Sequence, residues 1–148
     1  MLISQLLRTK RPGVVVVSPE TSIRSAIAQM VRQHVGSLVV VDEDQQLMGV
    51  VSEREIIQNL DTDNPGGVMS TTVRQAMRTD VPVAALEDTA RSVMEVMTAV
   101  RARHVPVVRY GRPIGIVSIG DIVKSRLDET VQENTVLKDI AVVRWLSS

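Results

Sequence analysis

The sequence predicts a mixed α/β (α+β) fold made of two β-α-β-β-α repeats, packed sheet to sheet as a pseudo-twofold pair. Three observations carry this expectation. Gly49-Val50-Val51-Ser52-Glu53-Arg54-Glu55-Ile56-Ile57 matches Gly115-Ile116-Val117-Ser118-Ile119-Gly120-Asp121-Ile122-Val123. Upstream, Ala26 and Met30 match Val93 and Met97, and Val39-Val40-Val41 matches Pro106-Val107-Val108, so the equivalences keep their order. Each match also falls in the same alternation of apolar run, helical stripe and paired apolar runs.

Each repeat is expected to open with a strand, at Val14 to Val17 and at Val81-Pro82-Val83. A helix start follows, with Thr21 or Ser22 and Asp88 or Thr89 as candidate N-caps, whose side-chain oxygens accept orphan amides. Ile23, Ala26, Ile27, Met30 and Val31 then recur at helical spacing, as do Ala90, Val93, Met94, Met97 and Val100; such stripes face a core. Two strands come next, Leu38–Val41 with Leu47–Val51 and Val105–Val108 with Ile114–Val117, each pair joined by a tight turn. A second helix begins near Ser52 or Ser118. One repeat of about 60 residues buries little alone, so pairing with its twin would help cover its sheet. Asp61-Thr62-Asp63-Asn64-Pro65-Gly66-Gly67 is polar and rich in breakers. The expected organisation is repeat one with an N-terminal segment at 1–64, a linker at 65–70, repeat two at 71–128, and a C-terminal helix at 129–148. That last helix, with Val131, Leu137, Ile140, Ala141 and Trp145 among polar residues, would pack on its own domain or join a dimer contact.

Composition narrows the function. With 17 Lys+Arg against 17 Asp+Glu among 148 residues, the chain lacks the positive surplus of a general nucleic-acid binder. It has no Phe, one Tyr and one Trp, hence little on which bases could stack. There is no cysteine for a disulfide, thiolate zinc site or nucleophile. No apolar stretch approaches the ~18 residues of a membrane span, and the N-terminus does not read as a secretory signal. A cytoplasmic location is the expectation.

The string Gly115-Ile116-Val117-Ser118-Ile119-Gly120-Asp121, with Arg103-His104-Val105-Pro106-Val107-Val108 before it, resembles the cystathionine β-synthase (CBS) domain, whose tandem pair is a Bateman module. The resemblance runs from Ile3 to about Leu127. It implies a ligand-binding regulatory module rather than an enzyme, taking an adenine nucleotide (AMP, ADP, ATP) or NAD or S-adenosylmethionine in a cleft between the paired modules. The signature Ser and Asp would contact phosphate and ribose, and basic residues before the Pro-Val strand would meet phosphates.

The residues support this independently. Ser118 falls where a strand becomes a helix, and first-turn amides there favour an anion. Asp121 follows three residues later, where a carboxylate can accept ribose hydroxyls; Ser-x-x-Asp is equally a capping box. In repeat one Glu55 stands at the Asp position, so Ser52-x-x-Glu55 reads more comfortably as a cap. Arg54 is a phosphate candidate or part of a solvated charge cluster. Gly36-Ser37 occupies the place of Arg103-His104. The main site is therefore expected around Ser118, Asp121, Arg103, His104 and Lys124, with Val83 and Ile116 as apolar lining. A second, weaker or empty site is expected around Ser52, Arg54 and Glu55. Arg101, Arg109, Arg112 and Arg126 complete the basic cluster; Arg109 and Arg112 in the turn read as a solvated face. His34 and His104 show no metal-ligand spacing, and no nucleophile elbow, phosphate loop or dinucleotide turn occurs. The expected protein is a homodimeric energy-sensing module with no catalytic cofactor, acting on an unidentified protein in trans. Its alternative is a dimerisation scaffold whose nucleotide site is degenerate, a reading to which Glu55 and Leu86 in place of Pro19 lend support.

Overall fold

A computed structural model describes residues 1–60, 63–64, 66–133 and 146. Helix α1 spans Ile3–Arg8, β1 Val16–Val17, α2 Ile23–Gln33, β2 Ser37–Val41, β3 Leu47–Ser52 and α3 Glu53–Gln58. A short 3-10 turn at Val68–Ser70 leads to α4 at Val73–Ala76, then α5 at Ala90–Val100, β4 at His104–Arg109, β5 at Arg112–Ser118 and α6 at Ile119–Glu133. Helices and a small sheet form in both halves, as the mixed α/β expectation requires. α6 runs unbroken past residue 128, and most of the expected C-terminal helix lies outside the described residues.

The caps resolve as Ser22 and Thr89, whose hydroxyls accept from the Ser25 amide and the Ser92 amide, both at 3.1 Å. Both helices end at a non-glycine residue in the left-handed region, His34 (φ 55°) and Arg101 (φ 55°). Ile23, Ala26 and Met30, and Ala90, Val93 and Met97, are buried as their spacing requires. Val31 and Val100 are instead exposed, at 68% and 45%. Each lies in the last turn, roughly 80° around the axis from the first stripe residue, on the flank of the buried face.

In repeat one β1 pairs parallel to β2, and β2 antiparallel to β3. In repeat two only the β4–β5 ladder forms, and the strand expected at Val81-Pro82-Val83 is absent. Its contact shrinks to a single parallel bridge at Ala84, whose amide donates to Pro106 O at 2.9 Å while Val108 N donates to Ala84 O at 2.9 Å. Pro82 has no amide to continue the ladder.

The cores cross the sequence boundary. Ile3 and Leu6 of α1 are buried with Ala90, Val93, Met97, Val105, Val107, Val117 and Ile122 of repeat two. Val68, Val73 and Ala76 complete the core of repeat one, beside Ile23, Met30, Leu38 and Val51. Backbone bonds fix the exchange. Ile3 N donates to Asp88 O at 2.8 Å and Ala90 N to Met1 O at 2.8 Å, whereas Val73 N donates to Thr21 O at 2.7 Å and Ile23 N to Thr71 O at 2.9 Å. Burying a side chain such as Ile3 is worth about 1.5–3 kcal/mol, so each repeat depends on a segment that precedes the other. The hairpin tips also meet, Leu47 N donating to Gly111 O at 3.0 Å. Gly111 is at φ 77°, and a Cβ there would strike the Gln46 side chain.

Candidate functional site

A cleft of about 420 Å³ opens where the start of α3 faces the end of α5 and the start of β4. Ser52, Glu53, Arg54 and Glu55 line one side; Arg101, Arg103 and His104 line the other. Arg78 and Val50 form part of the wall, their backbones joined by amide-to-carbonyl bonds of 2.8 and 3.0 Å. Gly49 makes this approach possible, because a Cβ there would run into the Arg78 carbonyl.

The grouping expected from sequence is corrected here. Arg103 and His104 line the cleft over repeat one's Ser52–Glu55, not a hollow at Ser118 and Asp121. The reason is the direction of the chain at the strand entrance. The Arg103 carbonyl accepts from Ile119 N at 2.9 Å, so its backbone sits against α6 while its side chain belongs to the facing repeat. His104 pairs with Ser118 in the β4–β5 register, which puts it between the two signatures. Burial holds its imidazole below the ordinary value, and Glu55, Asp121 and Glu53 oppose this while Lys10 adds to it.

Both signatures close helix caps. Glu55 Oε2 accepts from Ser52 N at 2.9 Å and from the Ser52 hydroxyl in a short contact. Asp121 N donates to Ser118 Oγ at 3.1 Å, and Ser118 N donates to Asp121 Oδ2 at 2.8 Å. Lys10 makes a further bond to that same Oδ2 at 2.7 Å. Burial raises the Asp121 carboxyl, but the Lys10 and Ser118 hydrogen bonds outweigh it and leave the group below the usual carboxylate value. The space around Asp121 is a hollow of only about 110 Å³, lined by Lys10, Lys124, Ser125 and Asp128 among others. Val83 is exposed and Ile116 half-buried, and neither lines this hollow or the cleft.

Arg54, Arg101 and Arg103 are exposed and have no ion-pair partner among the described residues, while Arg78 pairs with Asp80 at 3.2 Å. The cleft thus offers guanidinium forks suited to phosphate oxygens, with Glu53 and Glu55 able to accept hydroxyls. Sequence reasoning missed Lys10 and Arg78. The signal available was a further repeat, Ile3-Ser4-Gln5-Leu6-Leu7 against Val73-Arg74-Gln75-Ala76-Met77, which marks the segments leading to both residues. Among the described residues there is no cluster of His, Asp and Glu fit to hold a metal, and no helix is long and apolar enough to cross a membrane.

Known proteins share this fold. An uncharacterised 17.7 kDa protein of Acidianus ambivalens is 32% identical over 130 residues, covering 85% of this chain and 73% of that protein. The crystal structure of a CBS-domain-containing protein from Agrobacterium tumefaciens is similar, with a TM-score of 0.79 and 35% identity over 85% of this chain and 99% of that one. CBSX2, solved in complex with AMP, aligns with a TM-score of 0.71 and 25% identity over 87% of this chain and 98% of its own. The sequence profile of the CBS domain matches twice, at residues 4–62 and 73–128. With both copies matched and the paired fold in place, the chain belongs to the CBS-domain family.

Proposed function

We propose that the chain is a regulatory module that takes an adenine nucleotide in the cleft over α3 and passes the binding signal to another protein. The observation that carries this reading is the convergence of Arg54, Arg101, Arg103 and His104 on a cleft of about 420 Å³, a size suited to a small ligand. Three guanidinium groups without ion-pair partners among the described residues await an anion. AMP bound to CBSX2 supports an adenine nucleotide as that anion. The signal is a coupling free energy: the ligand shifts the affinity for the target by its own differential affinity for two arrangements of the pair.

Calorimetric titration with AMP and with adenosine tests the reading. AMP is expected to bind at least tenfold more tightly than adenosine, because the phosphate supplies the charge-assisted hydrogen bonds. Equal affinities, or binding of neither, overturn it. A scaffold role is favoured by a separate observation: exposed Val31 and Ile57 line one apolar groove with Ile27, Met30, Val35 and Ile56 of α2, α3 and the turn after α2, and contiguous apolar surface marks association sites. Homodimerisation through these helices is compatible with ligand binding. Sedimentation analysis with and without AMP reads both.

A further inference from the structure

The two repeats treat equivalent groups differently. In repeat one the Val50 carbonyl accepts from the Arg78 backbone amide at 2.8 Å, and Glu55 Oε2 is bonded to Ser52. In repeat two the equivalent carbonyl, Ile116 O, accepts instead from Lys10 Nζ at 2.6 Å. The same ammonium donates to Asp121 Oδ2 at 2.7 Å. Lys10 and Asp121 are both partly buried, with side chains 28% and 23% exposed. Lys10 brings the carboxylate a full positive charge as well as a hydrogen bond, whereas a ribose hydroxyl brings the hydrogen bond alone and competes at a disadvantage for that oxygen. The space left around the pair, about 110 Å³, is below the ~300 Å³ at which ligand pockets begin.

We infer that Lys10 is a built-in occupant of the repeat-two site, its ammonium taking the place on Asp121 that a ligand hydroxyl would need, so that each chain binds one nucleotide. This rests on the reading of the cleft over α3 as the nucleotide site. Lys10 arrives from the segment after α1, the helix that packs into the core of repeat two, so the occupant is delivered by the same crossing that completes that core.

Titration of the full chain with AMP tests this through stoichiometry. The wild type is expected to bind one AMP per chain, and Lys10→Met to bind two, with circular dichroism reporting that the variant is folded. A second variant keeps the question open to refutation if Lys10→Met does not fold. Asp121→Asn should leave AMP affinity within about twofold, since a sealed site contributes nothing to it. Two equivalents in the wild type, one equivalent in folded Lys10→Met, or a tenfold loss in Asp121→Asn overturns the inference and leaves the nucleotide reading standing. Absence of AMP binding in every form overturns both.

Discussion

Lys10 and Asp121 stand 111 positions apart and meet at 2.7 Å, tying the segment after α1 to the first turn of α6. The pair joins the N-terminal segment, which precedes repeat one in the chain, to α6 of repeat two. It also makes Asp121 a structural carboxylate, whatever else the position does in relatives.

The first prediction concerns acid. The Asp121 carboxyl is lowered from its ordinary value of 3.8, so its contribution to stability is fully present above that value and is lost as pH falls through the lower folded-state value. Asp121→Asn should cost about 1–2 kcal/mol at pH 7, the range of a charge-assisted hydrogen bond that is partly exposed. As pH falls below the ordinary carboxylate value the gap between the two proteins should narrow. Urea unfolding at pH 7, 4 and 2.5 measures the difference, and a gap that persists unchanged at pH 2.5 contradicts the assignment.

The second concerns phosphate recognition. Arg103→Ala should weaken AMP binding by roughly 10- to 100-fold, corresponding to about 1.5–3 kcal/mol for hydrogen bonds to a charged group. Arg101→Ala should act in the same direction, because both side chains line the same wall of the cleft. Added salt should narrow the difference between wild type and either variant. Calorimetry at low and moderate salt checks this; an Arg103→Ala protein with wild-type affinity would return Arg103 to the solvated surface.

The third concerns the crossed cores. Ile3 is fully buried among residues of repeat two, so Ile3→Ala should cost about 2–5 kcal/mol. Amide exchange should quicken first in β4 and β5, not in β2 and β3, although Ile3 precedes repeat one in the chain. Hydrogen exchange followed by mass spectrometry localises the change, and Val73→Ala should give the mirror pattern. Faster exchange confined to β2 and β3 in Ile3→Ala would place α1 on the wrong repeat.

Much of this was open to reading in the linear chain because it depends on local chemistry. A stripe such as Ile23, Ala26 and Met30 identifies its buried face by spacing alone, and Ser22 and Thr89 cap because their hydroxyls need reach only three residues. The Ser118/Asp121 and Ser52/Glu55 pairs closed as caps for the same reason. Where local signals conflicted, spacing failed: Val31 and Val100 continue the stripe in sequence but turn off its face, and Pro82 interrupts an apolar run that otherwise reads as a strand.

By itself the sequence determined the duplication, the order of elements in each repeat, the buried faces of the long helices and the family to which the chain belongs. Tertiary structure decided how the repeats share residues. Only folding sends α1 to the core of repeat two and α4 to that of repeat one, since which apolar face a short helix covers depends on the sheet that has room for it. The same crossing brings Lys10 onto Asp121, and the entry of the chain into β4 sets Arg103 and His104 in one cleft with Ser52 and Glu55. These contacts join positions far apart in the chain, and no spacing rule within one repeat encodes them, because a hydrogen bond or ion pair is selected by distance in space.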